Sequence, residues 1–85
     1  MNAEPVVVAM VCAIQMLDHA TEEEADSSFA VEVQQAMGEY LDELTSEDVG
    51  EFCDILLRVA SERSSEDPQI AEYCRRMATG YSTRG

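Results

Sequence analysis

The sequence contains no lysine, and its five arginines and single histidine are outnumbered by 18 acidic residues. Proton transfer and nucleophilic catalysis both need a positioned base, and His19 is the one imidazole that could serve. No cysteine stands beside His19 in the sequence, and the carboxylates are too numerous to single out a pair. We therefore predict no catalytic residues, no enzymatic activity and no cofactor. His19 instead suits the C-terminal end of a helix, where positive charge is favourable.

The shortage of positive charge also excludes two classes of partner. The formal net charge is −13, and an excess this large repels both nucleic-acid phosphates and anionic lipid headgroups. We expect no direct nucleic-acid binding and no membrane binding. A basic protein would be attracted instead, with an association rate that falls as salt rises. The alternative is that the charge serves only to keep a small protein in solution.

The cysteines lack the spacing of a disulfide framework or of a metal site. Cys12, Cys53 and Cys74 are odd in number and far apart, whereas structural zinc sites draw their ligands in close pairs. On one helix, Cys12 and His19 would stand about 10 Å apart along the axis, too far to share an ion. We predict no metal site, and thiols that behave as small buried hydrophobic groups.

No apolar run is long enough for a membrane span. The longest candidate, Val6 to Leu17, is shorter than the roughly 18 residues that a span requires. Glu4 precedes it, where a signal peptide would carry a basic residue. These features predict a cytoplasmic protein.

Proline, capping and periodicity signals predict one all-α domain. With 85 residues and 46% hydrophobic side chains, the chain has the composition of a small folded domain. A capping box is expected at Thr21 and Glu24, and Asp67 before Pro68 is typical of a helix start. We predict a four-helix bundle with short connections, whose helices cover residues 5–18, 22–44, 47–63 and 68–79, followed by a frayed tail at 80–85.

The first predicted helix is strongly apolar on nearly every side. The run Val6-Val7-Val8 would also suit a buried strand, but the length of the segment and its Ala, Met and Leu content favour a helix. Such a helix belongs in the middle of a bundle or across a dimer interface. We predict a possible homodimer with its interface at Val7, Val8, Val11 and Ile14.

The segment DSSFAVEVQQAMGEYL resembles the start of the second helix in acyl and peptidyl carrier proteins. That family has an Asp-Ser pair before an acidic helix with a Val-Glu-Leu-like step. The matching residues here are Asp26, Ser27, Val31, Glu32 and Val33, while Ala25 and Ser28 replace the family's usual Gly and Leu. The resemblance implies a phosphopantetheine arm on Ser27. The capping box at Thr21 predicts instead that Ser27 lies two turns inside a helix, as a surface residue.

Acidic residues concentrate in the middle of the chain, with no basic residue between His19 and Arg58. We name this set the acidic ridge: Glu22, Glu23, Glu24, Asp26, Glu39, Asp42, Glu43, Glu47, Asp48, Glu51 and Asp54. It predicts a non-enzymatic interaction module for a basic protein, of the immunity or inhibitor, regulator or charge-mimic type. The analogy with such proteins rests on small size, helical structure and acidity, and no sequence motif is shared. Helix capping together with solubility is the competing explanation.

Overall fold

The chain folds into four α-helices in the computed structural model, which describes residues 2–82. Helix α1 spans Glu4–His19, α2 spans Ser27–Leu41, α3 spans Ser46–Arg63 and α4 spans Pro68–Ser82. The part of the chain that the structure describes contains no strand. The predicted all-α four-helix bundle with short connections is confirmed, and Val6-Val7-Val8 are helical.

Helices α1, α3 and α4 form the core, with the most extensive contact between α3 and α4. Leu56 and Val59 on α3 and Cys74 on α4 are completely buried. From α1, Val11 is completely buried and Val7 is 7% exposed. On each of these helices the buried residues are spaced three or four positions apart and therefore form one apolar face. The three apolar faces pack together.

Helix α2 lies beside this core and packs mainly on α1. Ala30 is its one buried residue, whereas Phe29 is 57% exposed and Tyr40 is 75% exposed. The Gln34 amide holds α2 to the end of α1, because its Nε2 donates to the Ile14 carbonyl at 3.3 Å. The apolar residues of α2 are therefore only partly used within the chain.

Capping side chains set the starts of α3 and α4, and the cap at Asp67 is the predicted one. The Thr45 hydroxyl accepts from the backbone N–H of Asp48 at 3.1 Å. The Asp67 carboxylate accepts from the backbone N–H of Ile70 at 3.2 Å. Asp67 directly precedes Pro68, the first residue of α4.

The predicted helix end at residue 79 is wrong, because α4 continues through Gly80 to Ser82. Tyr81 explains the extension: its ring packs edge-on against Phe52 of α3, with ring centroids 5.4 Å apart. This contact holds the last turn on the core. Residues 83–85 of the predicted tail lie outside the described residues.

The predicted bounds of the second helix, 22–44, are also wrong at both ends. The capping box does form, since the Thr21 N–H donates to Glu24 at 3.2 Å and the Glu24 N–H donates to the Thr21 hydroxyl at 3.3 Å. It closes only a turn over residues 22–24. Asp26 then caps the real helix, and at the other end the chain leaves α2 after Leu41. Ser27 is thus the first helical residue, not one two turns inside.

Two of the four residues predicted for a dimer interface are used within the chain instead, while the homodimer itself stays a prediction. Val7 and Val11 are buried in the chain's own core, because the face of α1 that carries them packs against α3 and α4. Val8 and Ile14 are half-buried. The outward face of α1 carries other residues, among them Met16, which is 68% exposed.

We expect Leu56→Ala to lower the free energy of unfolding by about 2–5 kcal/mol, because it opens a cavity where α1, α3 and α4 meet. The adjacent Leu57→Ala is the matched control. Leu57 is 52% exposed, so its loss should change stability by no more than about 0.5 kcal/mol. Urea denaturation followed by circular dichroism measures both. Equal effects of the two substitutions would contradict the described core.

Candidate functional site

The three thiols differ in exposure. Cys74 is buried as predicted and Cys53 is half-buried, but Cys12 is exposed, so the prediction of three buried thiols is wrong at that position. Burial raises the pKa of Cys74, and burial together with the charge of Asp54 raises the pKa of Cys53. Both shifts disfavour the reactive thiolate. Within residues 2–82, no group of three or more His, Cys, Asp or Glu side chains is placed to hold a metal ion.

A polar cluster joins the end of α1 to α4. The Tyr73 hydroxyl donates to the Asp18 carboxylate at 2.6 Å, and the Gln34 amide donates to the same carboxylate at 3.3 Å. These hydrogen bonds, that of Tyr73 most strongly, lower the pKa of Asp18. His19 ends α1 as predicted, with Nε2 3.4 Å from the Tyr73 oxygen. Sequence reasoning missed this cluster because Tyr73 lies more than fifty residues from its partners.

The Tyr73 cluster is organised to hold helices together. The hydrogen bond to Asp18 raises the pKa of Tyr73, so the phenol stays protonated at neutral pH and is a poor base. Ile14, Gln34, Arg76 and Met77 lie around the same shallow cavity, which has a volume of about 380 Å³. Two neutral donors on one carboxylate stabilise the contacts of α1 with α2 and with α4.

The acidic ridge is exposed throughout, but the structure divides it into two groups. The N-terminal acidic group precedes α2 and consists of Glu22, Glu23, Glu24 and Asp26. The C-terminal acidic group lies at the end of α2, in the following turn and on the first turns of α3, and consists of Glu39, Asp42, Glu43, Glu47, Asp48, Glu51 and Asp54. Twelve residues of α2, Ser27 to Gly38, separate the two groups by about 18 Å of helix.

Three of the four carboxylates of the N-terminal acidic group, those of Glu22, Glu24 and Asp26, accept local backbone hydrogen bonds. The Asp26 carboxylate accepts from the N–H groups of Ser28 at 2.7 Å and Phe29 at 3.4 Å. Glu22 accepts from the Ser27 N–H at 3.4 Å, and Glu24 accepts from Thr21. Capping therefore accounts for these three carboxylates, as the alternative explanation of the ridge expects.

The C-terminal acidic group faces solvent on two successive helices. Glu47, Glu51 and Asp54 recur at helical spacing on the exposed side of α3, while Glu39 lies in the last turn of α2 and Glu43 in the turn that follows that helix. Among residues 2–82, Glu4 forms a salt bridge with Arg58, and Glu72 forms salt bridges with Arg75 and Arg76. The strongest concentration of exposed negative charge thus lies where α2 passes into α3.

An apolar groove adjoins the C-terminal acidic group. It lies between α1, the end of α2 and α3, and has a volume of about 290 Å³. Its lining residues are Ala3, Val6, Val7, Met10, Leu41, Leu44, Asp48, Glu51, Phe52 and Ile55. The two acids belong to the C-terminal acidic group, so the groove combines an apolar surface with an acidic edge.

Ser27 occupies an exposed position at the N-terminus of α2, directly after the capping Asp26. This is the position that the carrier-protein resemblance implies for a modified serine. The sequence does indicate this helix start, because Asp is a favoured N-cap residue. The capping box five residues upstream, however, indicated an earlier start.

Comparison with known proteins identifies no relative. No family model matches the chain, and no match is found among curated proteins or among solved structures. Among the described helices, none has the length and apolar content needed to cross a bilayer.

We expect Asp26→Ala to destabilise α2 locally by about 1 kcal/mol, because two backbone N–H groups lose their acceptor. Amide hydrogen exchange should become faster in α2 and remain unchanged in α3, since α2 lies outside the core. Asp26→Asn retains an acceptor oxygen and is the matched control. Unchanged exchange in α2, or an equal increase in α3, would refute this assignment of the cap.

Proposed function

We propose that this protein is a non-enzymatic interaction module that binds a basic protein through its C-terminal acidic group. Such a module restrains or escorts its partner, as an inhibitor or immunity protein, a regulator or a mimic of phosphate charge does. The observation that carries the proposal is a concentration of exposed carboxylates on two consecutive helix ends, with no basic residue between His19 and Arg58.

Electrostatics supports a cationic partner over other classes. Carboxylates this close together reinforce one another's potential within the Debye length of about 8 Å at physiological ionic strength. The field accelerates association with a positively charged surface and opposes approach of nucleic acid or anionic lipid. Arg58, the nearest basic residue along α3, is itself paired with Glu4 at 3.4 Å.

A cytoplasmic location fits this proposal. Cys12, Cys53 and Cys74 are free thiols, and reduced thiols persist in that compartment. Catalysis is not part of the proposal, because the polar side chains brought together at Tyr73 are engaged in joining helices.

We expect the triple variant Glu43→Gln, Glu47→Gln, Glu51→Gln to lose most of its binding to basic proteins. The measurement is retention of lysate proteins on the immobilised chain at low and at high salt, with the retained proteins identified by mass spectrometry. Retention by the wild-type chain should fall as salt rises, because exposed charges are screened. The variant should retain less at low salt.

The matched control is Glu32→Gln, Glu62→Gln, Glu66→Gln, which removes the same charge from exposed positions outside the acidic ridge. It should retain basic proteins nearly as well as the wild-type chain. Equal loss in both triple variants would mean that net charge alone is responsible. Retention indifferent to salt, or no basic protein retained, would end the proposal.

A second candidate function is that of a phosphopantetheine carrier, with Ser27 as the attachment site. The specific observation in its favour is the exposed position of Ser27 at the start of α2, directly after Asp26. Against it stand Ala25 and Ser28 at the neighbouring positions and the absence of a family match.

Incubation with a phosphopantetheinyl transferase and coenzyme A tests this second candidate by intact mass. A carrier gains one phosphopantetheine arm, and Ser27→Ala abolishes the gain while Ser28→Ala does not. The interaction-module proposal expects no gain in mass. Addition at Ser27 would replace that proposal with the carrier function.

A further inference from the structure

The apolar groove contains side chains that the chain itself leaves partly uncovered. Val7 and Phe52 form its buried floor, at 7% and 8% exposure. Met10 and Ile55 are half-buried on its walls, and Val6 at the opening is 60% exposed. Burial of this apolar surface by a bound molecule is favourable, and the flexible Met10 side chain can adapt to the shape of that molecule.

The charge at the edge of the groove is of one sign. Asp48 and Glu51 lie along it on α3, and Glu47 and Asp54 continue the exposed acidic face of that helix. Arg58 lies beyond this edge, in a neighbouring depression that Glu51 and Asp54 also line, and it pairs with Glu4. An occupant of the groove therefore meets apolar side chains on one side and carboxylates on the other.

We infer that the groove binds an amphipathic helix of the basic partner, with apolar side chains inserted between α1 and α3 and Lys or Arg side chains against Asp48 and Glu51. This inference rests on the proposed function and names the element of the partner that is recognised. A helix laid in a groove presents apolar residues at i, i+3, i+4 and i+7, and its flanking positions carry the charge. The cations balance the acidic edge while the apolar face excludes water.

Charge complementarity favours this occupant over a second copy of the chain. Each copy carries a net charge of −13, and self-association through the groove would bring two edges formed by Asp48 and Glu51 together. Like charges placed face to face disfavour association. A partner with basic residues beside an apolar stripe meets no such repulsion.

The test uses a fluorescently labelled amphipathic leucine–lysine peptide of helical period, with binding followed by anisotropy at low salt. A peptide of the same composition with scrambled order, which has no apolar face, is the peptide control. Val6→Asn should weaken binding of the amphipathic peptide about tenfold, because it places an amide at the opening of the groove. Val31→Asn is the matched control, since Val31 is 51% exposed on α2 and does not line the groove.

The outcomes separate the inference from the proposed function. The inference is supported if the amphipathic peptide binds more tightly than the scrambled peptide and if Val6→Asn, but not Val31→Asn, weakens that binding. If binding depends on salt but neither variant changes it, the inference about the groove is overturned and the C-terminal acidic group remains as the binding site. No binding of either peptide counts against both proposals. A dimer seen by analytical ultracentrifugation that Val6→Asn dissociates would make a second copy the occupant and overturn the inference.

Discussion

The packing of α3 against α4 is the interaction on which the rest of the structure depends. Leu56 and Val59 meet Cys74 there without any solvent exposure, and α1 completes the core by inserting Val11. A chain of this size buries little apolar surface in total, so these few positions carry much of its stability. Because three helices satisfy the core, α2 is left at the side. Its apolar residues are only partly covered, and its carboxylates face solvent.

This arrangement gives the acidic residues two different physical roles. Before α2, carboxylates such as Asp26 accept backbone N–H groups and thereby fix where the helix begins. After α2, carboxylates such as Glu47 and Glu51 remain exposed, at positions where the chain repels itself unless a cation approaches. The cost of that repulsion is small while water surrounds the charges. The field remains available for a partner, and it lies next to the apolar groove between α1 and α3.

Local signals predicted much of the fold, and they failed where a distant contact or a competing local signal decided the outcome. Asp67 caps α4 as expected, because an N-cap depends on residues within one turn. The end of α4 depends on Tyr81 meeting Phe52, a contact that no local pattern reveals. At the start of α2, two capping signals stood close together. The box at Thr21 closes one turn, while Asp26 starts the helix.

The sequence by itself determined the helical class, the number of helices, the sign of the surface charge and the absence of a basic residue between His19 and Arg58, since all of these depend on composition or short spacing. Only the tertiary structure decided which face of each helix is buried. It placed Val7 and Val11 in the core, left Ser27 exposed at a helix start, and divided the acidic ridge in two. An apolar stripe indicates that one face of a helix can be buried, but the packing of the neighbouring helices decides which residues bury that face.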